Sequence, residues 1–575
     1  MPDGAAESQS VLILGGGVAG MTAAHELAER GFRVTVLERR RVPGGKARSM
    51  SVPGLDAPGL RPLPAEHGFR FFPGFYQHIP DTMRRIPFGS NANGVYDNLR
   101  ESTRAMTARA GKPAVEMPTR IPGSSDDRRV WRRSLVNSRL GITVRDLLHF
   151  GALLVKLLAS CDRRRYEQYE QQSWWEFSGA ATRSENYQKF LADGLTRSLV
   201  AAKARQMSAR TGGYILLQLL QSFGPHPVDR GVDRVLNGPT NEAWIGPWLE
   251  HLVKLGVDYR KGISATALEL DGHRVSQVQC VTDSPLSIVP VGSTQLTSHK
   301  TLSADWVIAA LPVEEMVPLV NAEMVALEPA LGELKQLTTR WMNGVMFYLN
   351  RPVPITHGHV IYIDSPWSLT SISQGQFWDS GLEPYGDRDI HDGPVVEVLS
   401  VDVSDWERPG ILYGRTAMDC TPEEIVAEVW MQLKEHLNVD DRLVLTDEQL
   451  VGAFIDGDIE RVGPRTNVNL EPLLINTKGS WATRPVGSTA IDNLFLASDY
   501  VRTYTDLATM EGANEAARRA VNALLDHAGS RAERCRVFPL REPMLFRPFR
   551  FVDRVVYRLT HGRHRDVPLG PGAGQ

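Results

Sequence analysis

Residues 11–38 read VLILGGGVAGMTAAHELAERGFRVTVLE, and this stretch decides the fold. An apolar run of strand length leads into a glycine-rich turn, a segment of helical periodicity and a second, β-branched strand. Gly15, Gly17 and Gly20 form the G-x-G-x-x-G pattern. The first glycine permits the tight turn, the second lets the backbone approach a pyrophosphate, and the third lets helix and strand pack closely. Glu38 ends the second strand, where a carboxylate accepts ribose hydroxyls. The stretch predicts a dinucleotide site.

A second glycine turn distinguishes FAD from NAD as the dinucleotide. Gly44, Gly45 and Arg48 lie in the sequence GGKARS, residues 44–49. This turn offers a bend and a basic side chain that can reach phosphate groups. NAD-binding Rossmann units do not need such a turn, so the pattern favours FAD.

Both ends of the chain resemble the flavin amine oxidase/phytoene desaturase superfamily. The second glycine turn matches its GG-x-x-R motif beside the flavin. Residues 493–521, NLFLASDYVRTYTDLATMEGANEAARRAV, are similar to its C-terminal flavin motif, although Ser498 stands where the family usually has Gly. In this match Asp499 is the acid that binds the ribityl–pyrophosphate part. Residues 510–513 are the helix start whose amides face the isoalloxazine, where a positive helix end stabilises reduced flavin.

The resemblance implies an α/β fold, in which a Rossmann-type (GR2-like) FAD-binding domain is interleaved with an α+β substrate-binding domain. We expect the FAD domain at 10–95, 241–310 and 480–527, the substrate domain at 96–240 and 311–479, and a basic extension at 528–575. Because neither flavin motif contains Cys or His, we expect FAD to be bound non-covalently. The expected cofactor-binding residues are Gly15, Gly17, Ala19, Gly20, Glu38, Arg39, Gly44, Gly45, Arg48, Ala265, Asp499, Met510, Glu511 and Ala513.

One segment points to a branch of this superfamily. Residues 65–80, AEHGFRFFPGFYQHIP, resemble the E-x-G-x-H-x-F-x-G-x-Y element of plant and cyanobacterial phytoene and zeta-carotene desaturases. Arg70 stands where those enzymes have His. The segment YTDLATMEGA is also closer to their Y-L-A-S-M-E-G-A than to the aromatic-cage motif of amine oxidases. Within residues 65–80, the positions that match the desaturase element are Glu66, Gly68, Phe72, Gly74 and Tyr76.

Three residues are candidates for catalysis. Asp506 is either a general base or the N-cap of a helix that begins near Leu507. Arg70 either holds a substrate oxygen or stabilises reduced flavin, and the alternative is an ion pair. Tyr504 either lines the same face or packs in the interior.

Other reactive residue types carry no assignment. His67 and His78 have no matched acid or cysteine partner, and no metal constellation is evident. Trp481 either covers the flavin edge or belongs to the core.

Composition restricts the class of protein. The chain has 575 residues, which predicts two or more domains, and its net charge of -3 gives no reason to expect nucleic acid. The four cysteines lie far apart, as suits a reducing cytosol. The first ten residues lack signal-peptide features, and no apolar run has membrane-spanning length. We expect a cytoplasmic protein, attached at most to a membrane surface, of undefined oligomeric state.

Two further expectations concern the surface. From about Ala92 to Asp126 the polar sequence, rich in Gly, Pro and Arg, predicts a surface loop. Residues 531–566 hold ten arginines against four acids, interleaved with aromatic residues. This tail, with the apolar segment 147–159 and the arginines at 163–165, either docks on a membrane or packs on the FAD domain through ion pairs.

The resemblance leaves three functions open. The first is an FAD-dependent desaturase, dehydrogenase or isomerase that acts on a lipophilic polyene or isoprenoid, as in carotenoid biosynthesis, by hydride transfer to flavin N5. The second is an amine or amino-acid oxidase that uses oxygen. The third is a non-catalytic isoprenoid carrier.

Overall fold

The computed structural model describes residues 9–52, 60–119, 141–194, 202–222, 233–282, 298–353, 355–386, 394–540 and 542–561. Expectations for residues 1–8, 120–126, 541 and 562–575 lie outside these ranges.

The strands in chain order are β1 Ser10–Leu14, β2 Arg33–Glu38, β3 Ser49–Ser51, β4 Pro64–Glu66, β5 Leu99–Glu101, β6 Arg104–Arg109, β7 Lys112–Pro118, β8 Arg234–Leu236, β9 Asp258–Lys261, β10 Ile263–Asp271, β11 Arg274–Thr282, β12 Ser298–Leu302, β13 Trp306–Ala309, β14 Thr338–Arg340, β15 Asn343–Leu349, β16 His359–Tyr362, β17 Thr370–Ser373, β18 Glu397–Val403, β19 Leu450–Ile455, β20 Ile459–Gly463, β21 Thr466–Asn469, β22 Leu473–Ile475 and β23 Leu494–Leu496.

The α-helices are α1 Val18–Ala28, α2 His78–Arg84, α3 Val144–Ala159, α4 Asp162–Glu167, α5 Trp174–Phe177, α6 Glu185–Tyr187, α7 Ala209–Ser222, α8 Gly246–Lys254, α9 Val313–Met316, α10 Ala322–Leu327, α11 Pro329–Glu333, α12 Pro422–Leu437, α13 Ser480–Thr483, α14 Met510–His527 and α15 Arg547–His561.

A five-stranded parallel sheet carries the first glycine turn. Its strand order is β23–β13–β1–β2–β9. Alternate residues of β1 serve opposite faces. Val11 and Ile13 pack in the core beneath α1 and α14, whereas Leu12 and Leu14 pack in the core under β10 and β11. Both faces of the sheet are thus covered, as a parallel sheet requires.

A seven-stranded sheet forms the second core, with the order β19–β15–β18–β17–β16–β6–β7. Its neighbouring strands are antiparallel except for the parallel pair β16–β6. Strand β15 is buried at every position. Helix α12 packs here, capped by Thr421 in a capping box with Glu424 and with Pro422 in its first turn.

The parallel sheet draws its strands from separate parts of the chain, and the chain builds the seven-stranded sheet between them. This alternation supports the domain division that we propose, with 10–95, 241–310 and 480–527 around the parallel sheet and 96–240 and 311–479 around the other.

Two local predictions are wrong. The expected loop from Ala92 contains the hairpin β6–β7, which extends the seven-stranded sheet. Its polar sequence is compatible with a strand because β7 lies at the sheet edge. Helix α14 begins at Met510, and Thr509 is its N-cap, accepting a hydrogen bond from the Gly512 N–H at 3.1 Å. Asp506 is therefore not the cap.

The C-terminal helix α15 packs on α3 and α4. Its Asp553 pairs with Arg164 at 2.7 Å, and Glu542, which precedes it, pairs with Arg165. Here acids of the tail pair with arginines of α4, whereas the sequence predicts that arginines of the tail pair with acids of the FAD domain. Nearer the FAD domain a tail arginine, Arg534, pairs with an acid of α14, Asp526, at 2.7 Å. Among the described helices none combines the length and apolar character needed to span a membrane.

Candidate functional site

A cavity of about 410 Å³ opens where the carboxyl ends of β1, β2 and β13 meet both glycine turns. Ligands of open α/β sheets bind at this edge. Most of the predicted cofactor-binding residues line it, namely Gly15, Gly17, Ala19, Glu38, Arg39, Gly44, Gly45, Ala265, Asp499, Met510 and Ala513.

The two glycine turns touch each other at the cavity. Gly17 and Gly44 form an isolated parallel bridge, and a Cβ on Gly45 would lie 2.9 Å from the Cα of Gly17. Gly15 has φ +99°, and its Cβ would meet the Ala310 carbonyl oxygen at 2.5 Å. Side chains have no room here, so bare backbone faces the cavity. Phosphate oxygens are bound by such backbone.

Glu38 is a fixed carboxylate at the end of β2. Its Oε2 accepts the Gly16 N–H and its Oε1 accepts the Arg40 N–H, each at 2.8 Å. Burial raises the pKa of Glu38, and the two backbone donors partly offset this by favouring the charged form. The hydroxyl of Tyr259 donates to the Gly16 carbonyl at 2.8 Å and fixes the same turn. These contacts fix the orientation of the carboxylate at the cavity wall.

The opposite end of the chain supplies a helix N-terminus to the cavity. Asp499 follows β23 and lines the cavity together with Thr509, Met510 and Ala513. Because α14 has 18 residues, its positive end stabilises negative charge placed there.

These features fit FAD. Bare glycine backbone suits the diphosphate, Glu38 suits the adenosine ribose, and the α14 N-terminus suits the pyrimidine end of the isoalloxazine. When bound, FAD supplies a ring that accepts a hydride from a substrate.

Arg48 is predicted from the sequence as the basic residue that reaches the phosphates, but the structure places its side chain elsewhere. It is absent from the cavity lining. Its guanidinium pairs with the buried carboxylate of Asp458 and donates to the Gly45 carbonyl at 2.9 Å. Lys46 lines the cavity instead.

Gly20 and Glu511 also lie outside the cavity lining. A Cβ on Gly20 would lie 1.9 Å from the Gly15 carbonyl oxygen, which fits its predicted packing role. The Glu511 carboxylate accepts the backbone N–H groups of residues 77–79 and contacts Nδ1 of His78 at 2.8 Å. The prediction that His78 has no acid partner is therefore wrong.

Asp506 is an interior ion-pair residue and does not line the cavity. It is 1% exposed. Its carboxylate lies 2.8 Å from Arg210 and 2.7 Å from Arg484, and it accepts the Thr211 hydroxyl at 2.6 Å. With both oxygens engaged away from the cavity, its candidacy as the base is withdrawn.

The other candidates separate into cavity and interior residues. Tyr504 does not line the cavity, and its ring lies 4.7 Å below the Arg519 guanidinium. Trp481 is fully buried outside the cavity lining, as the core interpretation expects. Arg70 lines the cavity, and its Nε lies 3.6 Å from Glu66. Burial lowers the pKa of Arg70.

Among the cavity-lining residues that sequence reasoning missed, four form a group made of residues 67, 69 and 71 and Asp402. Nδ1 of His67 lies 2.6 Å from Asp456, so the prediction that this histidine has no acid partner is wrong. Burial disfavours its charge, but Asp456 outweighs burial and raises the pKa of His67 to about 9. Phe69, Phe71 and Asp402 complete the group. No local pattern links Asp402 or Asp456 to residues 67–71.

A family model described as flavin containing amine oxidoreductase matches residues 18–525. The chain belongs to this family. It is an FAD-dependent oxidoreductase with the α/β flavin-binding fold that its sequence predicts. The carrier hypothesis is therefore set aside.

Two of the following three similar proteins match most of the chain. A zeta-carotene desaturase from Synechocystis sp. is 22% identical over 543 residues, covering 90% of this chain and 97% of that protein. A carotenoid phi-ring synthase from Chlorobaculum tepidum is 34% identical over 83 residues, which are 14% of this chain and only 12% of the synthase. The solved cyclohexylamine oxidase from Brevibacterium oxydans has a TM-score of 0.57 at 12% identity, covering 91% of this chain and 100% of that one.

Proposed function

We propose that this flavoenzyme is a desaturase, or a related dehydrogenase or isomerase, of a lipophilic polyene or isoprenoid. The proposal rests on the aromatic residues of the cavity wall. Phe69, Phe71 and Tyr76 line the cavity, and they come from the segment that resembles the desaturase element. The nearly full-length similarity to a zeta-carotene desaturase supports the same substrate class.

In this proposal the residues of the chain orient the substrate and exclude water. The aromatic wall covers an apolar chain in the cavity, since burial of apolar surface is favourable. The α14 N-terminus stabilises negative charge at its end of the cavity. Arg70 supplies a positive charge in the same wall.

The competing function is oxidation of an amine or amino acid with release of peroxide. A solved relative is a cyclohexylamine oxidase, but at 12% identity the likeness concerns the fold. This function serves as the second arm of the test.

The test offers the purified holoprotein linear polyenes embedded in phosphatidylcholine vesicles, with a quinone as electron acceptor. We expect the absorption of the polyene to shift to longer wavelength as conjugation extends or its geometry changes. The matched arm supplies a panel of primary amines and amino acids with oxygen and measures peroxide. Peroxide release without any change in the polyenes would overturn the proposal.

We further propose that substrate arrives from a membrane surface. Helix α15 packs on the body through Asp553 and Tyr557, while Val552, Val556 and Leu559 are exposed on another side. This spacing of three and four residues places the three apolar side chains on one helix face. Leu559 is 81% exposed.

The neighbouring helix extends this apolar surface. On α3, Val144, Leu148 and Val155 are exposed. The exposed Phe551 and Val555 continue the apolar face of α15 around the helix, as far as the exposed Arg554 and Arg558. An apolar face flanked by exposed arginines is complementary to an anionic lipid surface. The arginines at 163–165, by contrast, are paired within the protein and are no longer part of the proposed docking surface.

Cosedimentation with vesicles tests docking. We expect the protein to bind vesicles that contain phosphatidylserine, and salt should weaken this binding. The double charge reversal Arg554→Glu/Arg558→Glu should weaken it by about 2 kcal/mol. Leu559→Ser should also weaken binding. Val253→Ser is the matched control, because Val253 is also an exposed apolar residue but lies on α8. Equal binding of all variants, or no binding of the unmodified protein, would contradict docking.

A further inference from the structure

A buried carboxyl group faces the cavity from the substrate side. Asp402 lies near the end of β18, lines the cavity and is 5% exposed. Its strand neighbours, Gly344 on β15 and Thr370 on β17, carry no charge. A Cβ on Gly68 would lie 2.8 Å from Oδ1 of Asp402. The glycine at position 68 thus lets this carboxyl pack against the loop that forms the cavity wall.

The carboxyl of Asp402 is only partly satisfied by the protein. The backbone N–H of Phe69 donates to it. Its Oδ1 is buried and has no hydrogen-bond partner within the described part of the chain. Leaving a buried acceptor unpaired is energetically unfavourable. Such an atom at a cavity wall is placed to meet a proton or a donor on a bound molecule.

The charged surroundings poise Asp402 between its two protonation states. Burial raises the pKa of its carboxyl to about 7. Arg70 and His67 from the wall loop and His359 from β16 partly offset burial, since their positive charge favours the carboxylate. His67 itself is held by Asp456 at 2.6 Å. A group that titrates near neutral pH is suited to both accept and release a proton.

We propose that Asp402 is the catalytic group that accepts the substrate proton when the flavin oxidises the substrate. Bound FAD would take one hydrogen of the substrate with its electron pair, and Oδ1 of Asp402 would accept the hydrogen of the adjacent carbon as a proton. The two carbons form the new double bond, and the protonated carboxyl later returns its proton to water. The positive charge of Arg70 favours the carboxylate form of Asp402. The inference rests on the proposed desaturase function.

The first test needs no substrate. Infrared difference spectra of the holoprotein, taken across pH, follow the carbonyl stretch of protonated carboxyl groups. We expect a band that titrates near pH 7 in the unmodified protein and in Asp405→Asn, and that is lost in Asp402→Asn. Asp405 is the matched control, because it is equally buried three residues away but does not line the cavity. Absence of such a band from the unmodified protein would overturn the proposal even if Asp402→Asn failed to fold.

The second test follows anaerobic flavin reduction by a lipophilic polyene across pH. We expect Asp402→Asn to lower the rate about 10²–10⁴-fold, to abolish its rise near pH 7, and to leave FAD affinity unchanged. A normal rate in Asp402→Asn would overturn the role of Asp402. If only amines reduced the flavin, the proposed function would fail, while the titrating band and the same comparison with an amine would still decide the role of Asp402.

Discussion

Replacing Asp506 with Ala should destabilise the fold and leave the chemistry intact. The carboxylate is shared by Arg210 at 2.8 Å, Arg484 at 2.7 Å and the Thr211 hydroxyl at 2.6 Å. Both arginine side chains are 1% exposed. Removing the acid leaves two buried guanidinium groups, although Arg210 keeps Glu170 at 2.9 Å. Breaking a buried pair in this way costs about 3–5 kcal/mol.

The backbone adds a smaller effect at the same position. Asp506 has φ +49°, a left-handed conformation that costs most residues about 1–2 kcal/mol and that Asn tolerates better. Asp506→Asn should therefore lose less stability than Asp506→Ala. Asp526→Ala is the matched control: its ion pair with Arg534 is exposed, so the expected loss is about 0–1 kcal/mol.

Urea unfolding of the holoproteins measures these differences, and stopped-flow flavin reduction measures the chemistry of the folded fraction. The reasoning would be refuted if Asp506→Ala kept its stability but lost about 10²–10⁴ in reduction rate, the signature of a general base.

Three other perturbations test separate parts of the structure. Glu38→Ala should weaken FAD binding by about 1.5–3 kcal/mol in titrations of the apoprotein. Asp305→Asn should not, because Asp305 precedes β13, accepts the Ser10 N–H and lies outside the cavity lining; equal affinities of the two variants would refute the ribose assignment. Gly20→Ala should cost about 1–3 kcal/mol of unfolding free energy because its Cβ would lie 1.9 Å from a carbonyl oxygen, whereas Gly151→Ala on α3, with open space around its Cβ, should gain about 0.5–1 kcal/mol; similar urea midpoints would contradict the packing argument. Burial raises the pKa of Glu26, but the arginines around it outweigh burial and lower this pKa to about 2, so the stabilisation is complete above pH 4.5 and is lost as pH falls towards 2. Glu26→Gln should therefore cost on the order of 3 kcal/mol of unfolding free energy at pH 7 and progressively less below pH 4.5, and a pH-independent difference would count against this.

The flavin-facing backbone was predictable because its causes are local. The strand, turn and helix around Gly15 and Gly17 lie within 28 residues, and the tight contact between Gly20 and the Gly15 carbonyl arises inside that unit. The C-terminal motif around Asp499 likewise lies in one contiguous segment. Its resemblance to a known family predicted that it would share one flavin site with the glycine turns at the N-terminal end of the chain.

The polar residues of the cavity wall were not predictable, because their partners are distant in sequence. Asp456 reaches His67, and Asp402 packs on Gly68, only after β15, β18 and β19 have paired in the seven-stranded sheet. Arg48 has the spacing of a phosphate ligand, yet the buried Asp458 lies within reach and captures its charge. Such competition is decided by tertiary contacts, which motif spacing does not encode.

The cofactor claim has a direct measurement, the stoichiometry and release of bound flavin. We predict that the purified protein is yellow, carries one FAD per chain, and releases all of it into the supernatant on acid precipitation, because the flavin motifs offer no Cys or His for a covalent link. The apoprotein should then take up one FAD and no NAD. A colourless protein that binds no FAD, or colour that stays with the acid pellet, would contradict the account.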